Sequence, residues 1–183
     1  SYLILAINDR DRTIAEWQAR QGGDWVDQML LGGMLKCAEH GYRMIFELVD
    51  THSDHVEREL GATIAALQPD GVILTPPHSE NAQITGLLVE RRIPFARIGS
   101  NRPGPGIAMT MGDDGSAAIA TRHLLDLGHR RIGFIAGPEE YSLSDWRIAG
   151  WEQAMRANGI ACDDLCIRGD FSYASGTAAA TRL

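Results

Sequence analysis

Short apolar runs recur along this chain, separated by stretches with helical spacing, and that alternation leaves few folds open. Residues 3–7, 42–49, 71–75 and 95–98 read as strands, and residues 25–39, 54–67 and 80–91 between them read as helices. Strand and helix in succession imply parallel pairing through right-handed crossovers, hence an open α/β sheet. After the Pro/Gly-dense residues 101–106 a second set follows. It comprises residues 107–109, a helix from Ser116, a strand from Ile132, a helix around Asp145 and a strand over 165–168. A composition break of this kind marks a turn or a link between units. The expectation is two similar α/β lobes, residues 1–110 and 111–183.

The most informative segment lies in the second set. Asp114 can cap a helix beginning at Gly115 or Ser116, and residues 117–127 are good helix formers with apolar side chains at helical spacing. Gly128 ends it in the left-handed position, with His129, Arg130 and Arg131 where positive charge meets the helix's negative end. Residues 132–136 are a short apolar run without alternation, the pattern of a parallel strand buried on both faces. Arg147-Ile148-Ala149-Gly150-Trp151 follows in the next helix.

The order of these pieces resembles the effector-binding core of the LacI/GalR family of bacterial transcriptional regulators. Asp113-Asp114-Gly115, the run Leu127-Gly128-His129-Arg130-Arg131-Ile132, a strand ending in Gly137-Pro138, and Arg147-x-x-Gly150-Trp151 occur in that family in this order. Leu31-Gly32-Gly33, Gly41-Tyr42-Arg43, Pro69-Asp70-Gly71 and Ile93-Pro94-Phe95 fit as well. The resemblance implies an α/β, two-lobed, periplasmic-binding-protein-like (type I) fold with parallel open sheets and the second lobe truncated. It implies a cytoplasmic homodimer whose small-molecule effector, a sugar, binds in the cleft between lobes. Operator DNA is then read through a helix-turn-helix headpiece absent from this chain. No cofactor, metal or membrane partner is expected. The competing reading is a periplasmic sugar-binding protein of an ABC transporter, which shares the fold; the 127–132 run and the Arg147-x-x-Gly150-Trp151 pattern favour the regulator.

Composition sets bounds. A chain of 183 residues, 44% hydrophobic and 22% charged, is large enough to bury a real core, and its apolar runs are too short to span a bilayer. The net charge of -7 argues against nucleic-acid binding by this segment itself, because phosphate contacts need clustered Lys and Arg. Cys37, Cys162 and Cys166 have neither a metal spacing nor a Cys-x-x-Cys pair. Neither a phosphate-cradling glycine loop nor a nucleophile elbow is present, and His52, His55 and His78 scatter without a third ligand, so no enzyme activity is expected.

Ligands of open α/β sheets bind outside the carboxyl ends of the strands, which directs attention to the loops there. Asn8 and Asp9 follow the first strand, and residues 10–23 then form a long connection, read as a solvated insertion, a lid or an extra helix. Trp25 opens the next helix, either facing ligand or packing with Met29; Thr75 either offers its hydroxyl at a strand end or is simply β-branched. Arg97, a charge within an apolar strand, either faces a polar cavity or snorkels from an edge. Arg147 is the foremost candidate. If Ser142 or Ser144 caps its helix, it opposes the helix dipole by roughly 0.3–1 kcal/mol, and the resemblance assigns the ligand-binding arginine here. Phe171 has no staple partner at Gly176 and matches the family's stacking aromatic, while Asp170 serves a turn or accepts a sugar hydroxyl.

Overall fold

The computed structural model describes residues 2–19 and 24–183, which form two compact units, Ser1–Met109 and Thr110–Leu183. The end of the long connection, residues 20–23, lies outside the described residues.

The first unit runs β1 (Tyr2–Asp9), α1 (Arg10–Ala19), α2 (Asp24–Glu39), β2 (Tyr42–Val49), α3 (Val56–Leu67), β3 (Gly71–Leu74), a 3-10 turn (His78–Glu80), α4 (Ala82–Glu90), β4 (Phe95–Ile98) and β5 (Ile107–Met109). Its sheet has the order β2-β1-β3-β4-β5 with every pair parallel. Leu5, Ile7, Val72 and Leu74 from β1 and β3 pack with Val56, Leu60 and Ile64 of α3 and with Ile84 and Leu88 of α4. The last five residues of β1 are all buried, the continuous burial of a central parallel strand covered on both faces. β2 lies on one side of β1 and β3 on the other, so the topological switch point falls between the carboxyl ends of β1 and β3.

Several boundaries differ from those read in the sequence. β1 continues through Asn8 and Asp9, which are its last residues and do not follow it. Asp9 Oδ1 accepts the backbone N–H of Asp11 (3.2 Å) and Arg12 (3.4 Å), which starts α1 within the long connection. Trp17 ties α1 to its neighbours, its ring 6.3 Å from Phe46 and its Nε1 donating to Asp27 at 3.2 Å. Asn81 caps α4, accepting from Gln83 and Ile84 at 2.9 and 3.2 Å. Ser79 is buried, its hydroxyl within reach of the carbonyls of Leu74 and Ile98. Residues 107–109 form the fifth strand of the first sheet, so residues 101–106 connect strands within that unit and the division comes after Met109.

The second unit runs α5 (Asp113–Asp126), β6 (Phe134–Ala136), α6 (Ser142–Ala157), β7 (Cys166–Arg168) and α7 (Tyr173–Arg182), with β6 and β7 parallel. Ala118 and Leu125 of α5, Trp151, Ala154 and Met155 of α6, Ile132 and Cys162 form its core. β6 is shorter than the apolar run, and the Ile132 carbonyl ahead of it accepts the Trp151 Nε1 hydrogen (3.1 Å). Ile135 is 42% exposed rather than buried on both faces. Gly128 is left-handed (φ 96°), and Arg130 Nη1 donates to Leu125 O (2.9 Å), closing the end of α5. Helix starts depart from expectation: left-handed Gly112 (φ 66°) stands at the N-cap of α5, placing Asp114 inside the first turn, and Tyr141 rather than Ser142 or Ser144 stands at the N-cap of α6. Among the described residues no helix is long and apolar enough to cross a membrane.

Candidate functional site

The contact between α5 and α6 builds the centre of the second unit's site. Gly150 permits it, because a Cβ there would lie 1.9 Å from the Asp114 carbonyl oxygen. With α6 against the first turn of α5, Arg147, one turn before Gly150, reaches Asp113. Arg147 Nε and Nη2 both donate to Asp113 Oδ1 at 2.7 Å. Asp113 is buried (6% exposed), whereas the Arg147 side chain is 38% exposed. A buried carboxylate at the positive end of α5 thus orients a guanidinium whose remaining hydrogens are open to a ligand. The spacing Arg-x-x-Gly states this contact: glycine for the approach, arginine one turn away on the same face.

Arg147 and Phe171 line one cavity of about 260 Å³ with Ser144, Gly137, Ser172 and Ser175. It opens at the carboxyl ends of β6 and β7, where Gly137 and Gly169 follow the strands. A Cβ on Gly137 would meet Phe171 Cζ at 2.1 Å and Ser144 Oγ at 2.6 Å, so only glycine lets ring and hydroxyl come this close. Arg168 fixes the Gly137 carbonyl by a 3.1 Å hydrogen bond and also pairs with Asp145. Phe171, left-handed at φ 66°, sets its ring edge-on to Tyr141 with centroids 5.3 Å apart. That contact replaces the staple that the sequence lacks. Asp170 Oδ1 accepts the Ser172 backbone N–H at 2.8 Å, the turn role weighed for it, and Ser172 caps α7 by accepting from Ser175 N at 3.1 Å. Hydrogen bonds from Ser172 and Ser175 hold the Asp170 carboxyl down at about 2.

In the first unit the residues at the switch point are tied to one another. Thr75 is fully buried, its hydroxyl 2.9 Å from the Ile7 carbonyl and also against Asn8 Oδ1, while Asn8 Nδ2 donates to Thr13 at 2.6 Å. These bonds tie β3 to β1 and β1 to α1. His78 is buried beside them, its ring nitrogens near the backbone of Val49 and Asn8 without an aligned hydrogen bond. Burial lowers its pKa from the ordinary 6.5, opposed by the charge of Asp9. Trp25 is 43% exposed at the start of α2, so it is not the core partner of Met29. Arg97 is 4% exposed on β4, which has strands on both sides, so it neither snorkels nor lies at an edge. Its guanidinium donates to Ser100 Oγ (2.8 Å) and to the Arg102 carbonyl (2.9 Å), holding the β4–β5 connection. Ser100 in turn donates to Glu80, which pairs with Arg102.

Sequence reasoning missed Asp113 and Ser144, having read both only as helix-start residues. The available signal was periodicity: Ser144 stands three residues before Arg147, on the same helix face.

A family model described as periplasmic binding proteins and sugar binding domain of LacI family matches residues 24–183. The chain belongs to that family. Among its LacI-family relatives are the HTH-type transcriptional regulator CelR of Thermobifida fusca, 30% identical over 159 residues, and the HTH-type transcriptional repressor CytR of Escherichia coli, 31% identical over 163 residues. These alignments cover 85% and 87% of this chain but 46% and 47% of the relatives, so the chain spans about half the length of the curated relatives it matches. A solved transcriptional regulator CelR–cellobiose complex superposes with TM-score 0.82 at 26% identity, over 98% of this chain and 54% of that one. The Escherichia coli repressor AscG, at TM-score 0.79 and 17% identity over 100% of this chain and 64% of that one, shares the fold. The architecture is therefore the type I periplasmic-binding-protein-like fold of LacI-family regulator cores.

Proposed function

We propose that this chain is the effector-sensing domain of a DNA-binding transcriptional repressor, and that its effector is a sugar bound in the cleft between lobes. The observation that carries this is the half-exposed Arg147 guanidinium, aimed by buried Asp113 into a cavity that also holds Phe171. The arginine forks hydrogen bonds to ligand hydroxyls and the ring covers a CH-rich sugar face. Asp113 compensates the cation, which favours a neutral polyol over an anion. The cavity, about 260 Å³, falls just below the roughly 300–1,000 Å³ usual for ligand pockets. Trp25 stacks on the ligand and Asp170 accepts one of its hydroxyls. Asn8 and Thr75 act from beneath as supports, and Arg97 acts through the connection that it holds. CelR, solved with cellobiose, and CytR, a repressor, support the regulator reading over a transport protein.

In this reading the protein is a cytoplasmic homodimer that reads operator DNA through a headpiece, and the effector shifts the equilibrium between two states by its differential affinity for them. The test is binding of the complete gene product to DNA from its own promoter, with and without a pool of sugars. Specific binding altered by the pool supports the proposal; tight sugar binding without DNA binding replaces it with a transport protein. Arg147→Ala should abolish effector binding by calorimetry. Arg147→Lys keeps a cation for Asp113 but loses the fork, and should weaken binding by at least ~10-fold. Unchanged affinity in both variants would remove Arg147 from the site.

A further inference from the structure

One turn before Arg147, α6 carries a hydroxyl that the fold leaves unused. Ser144 is 1% exposed, and its Oγ has no hydrogen-bond partner among the described residues. A buried helical serine can satisfy itself by bonding back to the carbonyl four residues earlier; Ser144 does not. Leaving a buried hydroxyl unsatisfied costs about 1–3 kcal/mol, and buried polar groups left this way are uncommon enough to require a reason.

The position of the hydroxyl supplies one. Ser144 lines the same cavity of about 260 Å³ as Arg147 and Phe171. Its Oγ and Phe171 Cζ both approach the point that a Gly137 Cβ would occupy, at 2.6 and 2.1 Å. Ring and hydroxyl are therefore neighbours above the Gly137 backbone, and the ring screens the hydroxyl from water. Arginine can only donate hydrogen bonds, whereas serine donates and accepts, so the pair matches hydroxyl groups better than it matches an anion.

We infer that Ser144 is a specificity-determining contact that pairs with one hydroxyl of a neutral sugar held by Arg147, reached when the Phe171 ring yields its place over Gly137 to the ligand. This rests on the sugar-sensing reading above and adds a named partner within it.

The experiment compares the wild-type complete gene product with Ser144→Ala and Arg147→Lys by calorimetry against cellobiose, maltose, glucose, galactose and ribose. The tightest binder is then replaced by its monodeoxy analogues, and the melting temperature of each unliganded protein is measured. Ser144→Ala should weaken binding ~10-fold, as expected for a buried hydrogen bond. One monodeoxy analogue should weaken wild-type binding by the same factor and bind wild type and Ser144→Ala equally. The unliganded melting temperature of Ser144→Ala should not fall, because the substitution removes an unsatisfied group. Unchanged affinity in Ser144→Ala, equal losses with every analogue, or a lowered melting temperature would each overturn the assignment. If wild type binds and Arg147→Lys is weakened while Ser144→Ala is not, Ser144 alone is excluded. If wild type binds none of the five sugars, the sugar reading itself falls and Ser144 falls with it.

Discussion

In the proposed site, Asp113 sets what Arg147 would recognise. A lone guanidinium lining a cavity would draw phosphates and carboxylates; paired through two hydrogen bonds to one buried oxygen, it presents directed donors with its charge already met. Asp113→Asn keeps the shape and removes the charge. Calorimetry with a neutral sugar and its phosphate ester should show the neutral sugar bound several-fold more weakly and the preference shifted toward the ester; an unchanged preference would mean that Asp113 is only structural. As a candidate, Arg147 was conspicuous in sequence because a cation early in a helix breaks a local rule, and such breaks concentrate at functional sites. Asp113 was not, since its partner is 34 residues away and an acidic pair before a helix has a sufficient local explanation in capping. Arg97 shows the same limit from the other side. A charge in an apolar strand was conspicuous, but the turn that accepts its hydrogen bonds could not be seen from the strand.

At the scale of elements, the contact between α5 and α6 positions the arginine, and Gly150 makes it. Adding a methyl group at Gly150 would place a carbon 1.9 Å from a backbone oxygen, which no side-chain rotation relieves. Gly150→Ala must push the helices apart, with a loss of about 1–3 kcal/mol as for other overpacked contacts. In a protein of this size that lowers the melting temperature by several degrees, at ~2–4 °C per kcal/mol. It should also draw Arg147 off Asp113, so effector affinity should fall along with stability; a stability loss with affinity intact would uncouple the crossing from the site. Strand positions were readable to within a residue or two because a central parallel strand is a continuous apolar run, as in β3. Helix starts were not. Asp114 for α5 and Ser142 or Ser144 for α6 were plausible caps, yet left-handed Gly112 and Tyr141 stand at those N-caps without a side-chain cap bond, while Asn81 caps α4 through its own side chain. The assignment of residues 107–109 to the second set failed for a related reason: pairing between β4 and β5 leaves no local trace.

Across the whole molecule, each unit carries its own core, and the two carry titratable groups that respond in different pH windows. His78 belongs to the first. Burial holds its pKa below 6.5, so the unfolded chain binds a proton that the folded unit resists as pH falls. Stability therefore declines as pH drops below about 6.5, by at most about 1.4 kcal/mol per pH unit from one group. Asp170 belongs to the second unit and behaves as a depressed carboxylate: its contribution is present above its ordinary 3.8 and is lost as pH falls toward about 2. Because this carboxylate is exposed, its contribution is at most about 1 kcal/mol. The His78 loss sets in below about 6.5 and the Asp170 loss only below about 3.8, so the interval from pH 7.5 to 5.0 tests the histidine without the aspartate. Urea midpoints followed by tryptophan fluorescence at pH 7.5, 5.0 and 3.0 should fall between the first two values in wild type. In His78→Leu, where an apolar side chain fills the buried site and no proton can be taken up, that fall should be much smaller. Asp170→Asn should lie below wild type by the same small amount at pH 7.5 and 5.0 and approach it at pH 3.0, where wild type has begun to lose the carboxylate's contribution. If His78→Leu keeps the full wild-type slope between pH 7.5 and 5.0, then the buried histidine is not the source of the acid sensitivity, and its ring must be accepting a proton in the folded unit with help from Asp9.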